Sequence, residues 1–212
     1  MQTQAVNDAG NLLFVVFLLV TVVLTAVLAY RKLRGRPIRR PALAIGVCFA
    51  AYVVILVGVS LSSSTRQLPL GTDKCFDDWC ATVAGARSLP VPDGATGSKL
   101  VAITLRITNR ARRAAFRPSQ PRVFLVLPSG DPILPSSSAQ AEFEKQSGPQ
   151  QDLAKRLVAG DSFQTTVAFQ VPVASREASV VLLEGPNLIT RFLVGDENSF
   201  FHPKMVYSIA WD

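Results

Sequence analysis

Two long uncharged apolar runs stand near the start of the chain, and after them the pattern changes to short stretches in which apolar and polar positions alternate. The first run, residues 12–30, carries no charge over 19 residues, and as a helix it would span roughly 28 Å, one hydrocarbon thickness. The second, residues 42–61, is 20 residues of the same character and follows Pro41, which is tolerated in a first helical turn. Each predicts a transmembrane helix, since a pair of buried soluble helices would not keep every face free of charge.

Between the runs, residues 31–41 hold Arg31, Lys32, Arg34, Arg36, Arg39 and Arg40 and no acidic side chain. Short loops of this kind stay on the cytoplasmic side, so residues 1–11 and everything from residue 62 onward are expected to be extracytoplasmic, in a multi-pass protein. The first eleven residues contain Asp8 and no Lys or Arg, unlike the basic start of a secretory signal, and the first helix is expected to be retained. The lipid bilayer is thus the first predicted partner, and the six cations are read as a topology signal in preference to a binding site for anionic headgroups, which would also attract them. Thr21, Thr25 and Ala29 on one helix and Ala42, Gly46 and Ala50 on the other form ridges of small residues that would pack the helices on each other or pair two copies of the chain. Cys48 reads as an apolar filler.

Residues 62–72 are polar and rich in turn formers, a linker, and the folded domain is expected over 73–212. Within it Val101, Ile103, Leu105 and Ile107 alternate with smaller or polar residues, the clearest strand in the chain. Arg122 to Pro128 resumes as a second strand and is expected to pair with the first as a hairpin with a long tip. Residues 135–152, with Phe143 their sole large apolar side chain, are expected to be a mobile excursion that adds little to the core. Phe163, Thr165, Val167, Phe169 and Val171 share one face of the next strand, which Pro172 ends, and further strands are expected over 178–183, 190–194 and 205–211. About seven short strands without a long amphipathic helix predict an antiparallel β-sandwich.

The formal net charge of +7 suggests nucleic acid until it is partitioned. Six of the cations belong to the connector, and residues 66–212 hold 16 basic against 14 acidic groups. A nearly neutral outer domain removes the case for a nucleic-acid partner.

The order of motifs resembles the telokin-like, immunoglobulin-like domains of unknown function carried on bacterial lipoproteins and membrane anchors. It runs Phe-Asp-Asp-Trp from Phe76, Leu-Val-Ala-Ile-Thr-Leu-Arg-Ile-Thr-Asn from Leu100, Val-Phe-Leu-Val-Leu-Pro-Ser-Gly-Asp from Val123, then Ala-Gly-Asp-Ser-Phe and Val-Ala-Phe-Gln-Val-Pro. The resemblance covers roughly residues 70–212 and implies a fold and a bacterial envelope setting, with no catalytic residues to carry over. A helical hairpin stands where many such domains have a lipoprotein cysteine.

Cys75 and Cys80 would face an oxidising space, and a tight turn at Asp77 and Asp78 would bring them within bridging range, so a structural disulfide is predicted. The pair lacks the two-residue spacing of redox-active thiols. His202 is the sole histidine and sits in a strand approach without any Gly-x-Ser-x-Gly elbow, which favours a structural role. Asp73, Asp77, Asp78, Asp196 and Glu197 match no calcium-loop spacing, and no metal or cofactor is expected. Arg110, Arg112, Arg113 and Arg117 crowd one loop and are the candidate partner-binding residues. The expectation is a bacterial inner-membrane protein: two transmembrane helices, then an extracytoplasmic, periplasmic immunoglobulin-like sandwich. It would act without catalysis as an interaction module for an envelope protein, through a sheet edge or the arginine loop. The alternative is an envelope sensor or ligand- or metal-binding domain with its pocket near Trp79 and His202.

Overall fold

The computed structural model describes residues 2–76, 78–89, 97–185, 189–196 and 198–211, with side chains from residue 9 onward. The chain forms two compact units: the helices together with the segment that follows residue 185 and ends at Lys204, and a sandwich made of residues 66–185 and the C-terminal strand.

In the first unit, α1 (Gln2–Leu33) and α2 (Arg39–Ser62) extend past the apolar runs on both sides, and both are long and apolar enough to cross a membrane. The connector shrinks to a turn, because Arg31 and Lys32 complete α1 and Arg39 and Arg40 begin α2. Cations in the last turn of α1 favour the carbonyl end of the helix dipole. Gly35, at φ 62°, closes α1 with paired bonds from the Arg36 amide to the Arg31 carbonyl (2.9 Å) and from the Gly35 amide to the Lys32 carbonyl (3.1 Å). The helices do not meet on the ridges of small residues. A Cβ at Gly46 would touch nothing within 4 Å, and the Thr21 and Thr25 hydroxyls donate back to the Phe17 and Thr21 carbonyls of their own helix. Aromatic rings make the contact instead: Phe17 stacks on Tyr52 at 4.2 Å and lies 6.2 Å from Phe49.

The sandwich has two sheets. One is ordered β2 (Lys74–Phe76), β3 (Trp79–Leu89), β4 (Ser98–Asn109), β7 (Ser162–Pro172). The other is ordered β1 (Gln67–Leu68), β9 (Val206–Ala210), β8 (Glu177–Leu183), β5 (Arg122–Val126), β6 (Pro132–Ile133). All pairings are antiparallel except β1 with β9. Val83, Val101, Ile103, Leu105, Ile107 and Phe169 of one sheet close on Leu125, Val180, Leu182, Tyr207 and Ile209 of the other. The Tyr207 hydroxyl ends in this core by donating to the Thr72 (2.9 Å) and Ala81 (3.3 Å) carbonyls.

Four expectations are corrected. The strands at 101–107 and 122–126 do not pair as a hairpin; they lie in opposite sheets, the twelve-residue connection between them being long enough to cross the core. The folded domain starts at β1, inside the expected linker. Residues 137–147 form α3 (Ser137–Ser147), whose Ala139 and Phe143 are buried against Leu89, Leu100, Ala102 and Ala168 on the outer face of the first sheet. Ser136 caps that helix by accepting from the Ala139 amide, a signal hidden in a serine-rich run. The strand expected at 190–194 is a single 3-10 turn, Thr190–Phe192, within the helical unit: Gly195, Asp196 and Asn198 fold it back, and Val194 is buried beside Tyr52 and Leu56.

Candidate functional site

The arginine-rich loop is built on one buried side chain. Asn109 ends β4, is 1 % exposed, and donates through Nδ2 to the Ala114 and Leu157 carbonyls, both at 3.0 Å, while its Oδ1 accepts from the Ala111 amide at 2.8 Å. Phe116 and Leu157 then exchange main-chain hydrogen bonds of 2.9 Å, so the 110–117 loop is strapped to the 151–157 turn rather than left as a free tip.

This framework sorts the four arginines. Arg110 is tied inward: its guanidinium pairs with Asp73, which also takes the Thr82 hydroxyl and, at 3.2 Å, Arg106. The Thr82 hydrogen bond and then the two guanidiniums hold the Asp73 carboxyl below its usual range, against partial burial. Arg112 and Arg113 stay exposed. Arg117 turns the other way and donates through Nε to the Ala154 carbonyl at 2.9 Å. There it lines an open cleft of about 690 Å³ together with Ala115, Gln151, Asp152, Lys155 and Arg156. Three cations against one carboxylate give that cleft an excess of positive charge. Lys155 and Arg156 were not among the candidates, because a Lys-Arg pair 38 positions after Arg117 carries no sign in the sequence that it shares its surface.

The Sγ atoms of Cys75 and Cys80 are 1.96 Å apart, across directly opposed positions of β2 and β3. Asp77, half of the expected turn, lies outside the described residues, as does Glu197. Trp79 is buried, stacks on Phe76 at 4.6 Å and donates through Nε1 to Glu184 at 3.1 Å, all inside the sandwich. His202 belongs to the helical unit, with Nδ1 2.9 Å from the Pro203 carbonyl. The six connector cations sit at the turn of the helical hairpin, where Arg34 stacks over Tyr30 at 4.8 Å. Among the described residues no three His, Cys, Asp or Glu side chains come together in a set that could hold a metal.

The sheet edges are short or covered. β1, β2 and β6 have two or three residues each. Along β7, the Ala168 amide donates to the Gln140 side chain (2.9 Å), the Gln140 amide group donates to the Thr166 carbonyl (3.1 Å), and the Thr166 amide donates to the Gln150 side chain (3.0 Å). Glutamines on and beside α3 thus take the hydrogen bonds an added strand would need.

No family model matches the sequence, and no curated protein matches it. Solved structures similar in fold include a conserved hypothetical protein from Bacillus anthracis (12% identity, TM-score 0.42, 57% of this chain and 93% of that one). A second is the secreted Mycobacterium tuberculosis protein MPT63 (11% identity, TM-score 0.42, 70% and 99%). A third is an uncharacterized β-sandwich protein from Clostridium difficile 630 (8% identity, TM-score 0.32, 69% and 97%). At such identities the likeness bears on neither activity nor partner. The chain is a two-sheet β-sandwich preceded by two long apolar helices, and its likeness to these proteins is one of fold.

Proposed function

We propose that the protein is a membrane-anchored interaction module of the bacterial envelope. Helices α1 and α2 cross the inner membrane with Arg31 to Arg40 inside, and an immunoglobulin-like sandwich outside meets an anionic envelope protein without catalysis. Several features support this. Leu19, Val22, Leu43 and Val54 are each more than 60 % exposed on the helices, an apolar surface that water would not tolerate and acyl chains would cover. The order β3-β4-β7 against β9-β8-β5 is that of the A-B-E and G-F-C strands of an immunoglobulin domain, with α3 lying along β7 where a fourth strand would pair.

The observation that carries the partner is the Asn109-anchored loop, which fixes Arg112 and Arg113 outward and sets Arg117 beside Lys155 and Arg156. Because the edges are short or occupied, this basic face is favoured over strand addition. The test is a cross-linking pull-down of the full chain from detergent-solubilised membranes. A partner recovered by the wild type and lost on Arg112→Glu with Arg113→Glu supports the proposal, and equal recovery overturns it. The 690 Å³ cleft favours a second reading, a sensor for a small anion. A thermal shift with inorganic phosphate or a dicarboxylate that Arg117→Gln abolishes would single it out.

A further inference from the structure

We infer that the segment from Ile189 to Lys204 is a lipid-seated foot: it lies in the outer-leaflet interface, its aromatic side chains among acyl chains, beside the external ends of α1 and α2. This rests on the proposed membrane crossing and goes beyond it, since nothing in an anchored sandwich requires a surface excursion to enter lipid.

Depth follows from the contacts. Val194 is buried with Tyr52 and Leu56, and Tyr52 donates its hydroxyl to the Phe192 carbonyl. Those two helix residues stand ten and six positions before Ser62, about 15 and 9 Å below the end of α2 along its axis. Both lie inside the uncharged run, so a bilayer that covers α2 also surrounds what packs there. On the α1 side, a Cβ at Gly10 would strike the Val194 carbonyl oxygen at 1.9 Å, so only glycine permits that approach. The Ser60 and Ser199 hydroxyls pair at 3.2 Å nearer the helix end, where the polarity rises.

The outward face of the segment is apolar where a water-facing loop would be polar. Ile189, Phe192, Phe200 and Phe201 are 58, 40, 38 and 71 % exposed, and Phe192 meets Phe200 edge to face at 5.4 Å. Phe201 holds φ at 63°, a left-handed conformation that a bulky side chain avoids, and this strained backbone leaves its ring outside the packed unit. The main chain is folded into successive turns that bond internally: Phe192 to Ile189 (3.0 Å), Leu193 to Thr190 (3.2 Å), Ser199 to Asp196 (3.0 Å) and Phe200 to Arg191 (3.3 Å), each amide to carbonyl. A segment so satisfied enters a poorly hydrated zone at low cost. Arg191, with its guanidinium 6.0 Å from the Phe200 ring, has an aliphatic stem long enough to reach phosphate headgroups.

The test is spin-label accessibility on the full chain in phosphatidylethanolamine and phosphatidylglycerol liposomes, in a Cys48→Ala background. Single labels are placed at Ile189→Cys, Phe201→Cys, Val54→Cys for the span and Ser129→Cys for the aqueous reference. The expected result is an oxygen-to-nickel accessibility ratio about tenfold higher at 189 and 201 than at 129, as for any site from which water is excluded. Water-like values at both 189 and 201, with Val54→Cys in lipid, overturn the foot and leave the anchor standing. Water-like values at Val54→Cys as well overturn both. Two independent positions guard against one label disturbing the turn.

Discussion

Tyr52 and Phe192 are 140 positions apart in the chain and are joined by a hydrogen bond from the phenol hydroxyl to the main-chain carbonyl. One residue belongs to the second apolar helix, the other to a short turn between two strands of the sandwich. Phe17 completes the arrangement by stacking on the tyrosine ring.

Replacing Tyr52 by Phe keeps the stacked ring and removes the donor. The Phe192 carbonyl then loses its partner, and the local stability of the 189–201 segment falls by about 1 kcal/mol, the usual net value of such a bond. Hydrogen exchange of the full chain in detergent checks this: amides at 192, 193 and 199 exchange several-fold faster, while those of β4 are unchanged.

Asn109→Ala should cost about 2 to 3 kcal/mol, since the Ala111 amide and the Ala114 and Leu157 carbonyls lose a buried partner together. The loss appears as a lower urea midpoint for the sandwich and as faster exchange across the 110–117 loop. Asn109→Asp keeps the acceptor for the Ala111 amide but sets a buried carboxylate oxygen against the Ala114 and Leu157 carbonyls, so it should destabilise at least as much as Ala at pH 7 and recover in part where the carboxyl is protonated.

Two carboxylates give opposite pH signatures. Asp73 titrates below its ordinary value of 3.8, chiefly through the Thr82 hydrogen bond and then the two guanidiniums, so these contacts stabilise the fold above that pH and the benefit is lost as pH falls through the lowered folded value. With Arg106 and Arg110 largely exposed, the effect is worth under about 1 kcal/mol, and Asp73→Asn should flatten the acid limb of a stability-against-pH curve. Asp196 is shifted upward by burial, against the hydrogen bond from the Asn198 amide and the pull of Lys204, so its contribution is present at low pH and lost as pH rises through the raised value. Asp196→Asn should therefore be neutral or stabilising at pH 7 by thermal denaturation.

Maleimide labelling of the denatured chain should count one thiol, Cys48, before reduction and three after it. Removing the bridge by changing Cys75 and Cys80 to Ser should lower stability by about 2 kcal/mol on the chain-entropy estimate for so short a loop.

Phe143→Ala should cost about 3 to 5 kcal/mol, because the ring closes a pocket made by Leu89, Leu100, Ala102 and Ala168. A urea midpoint unchanged by the substitution would show that α3 is not part of the folded core.

That last site marks where patterning stopped being legible. The apolar runs, the Val101 to Ile107 row and the Phe163 to Val171 row could be read because each repeats one period over several residues, and burial follows the repeat. The helix α3 buries only Ala139 and Phe143, two apolar positions in eleven, and its attachment depends on Gln140 and Gln150 serving the edge of β7, a fact about a distant strand. The same holds at the arginine loop: the cluster from Arg110 to Arg117 was visible, but its division into an inward pair with Asp73 and a cleft shared with Lys155 and Arg156 depends on Asn109 reaching Leu157. The strand expected over 190–194 ends in the apolar Phe192, Leu193 and Val194, but the burial of that segment is set by helices more than 120 positions earlier.

The excursion between β8 and β9 also changes what a protease can do. A cut in the exposed stretch at Ser64 or Thr65 severs the covalent route from α2 to β1, yet residues 189–204 still grip Tyr52, Leu56 and Ser60 and remain continuous with the sandwich at both ends. A nicked molecule would migrate as two fragments in denaturing gels and still sediment as one under native conditions, so separating the sandwich from the helices demands cleavage at three places instead of one.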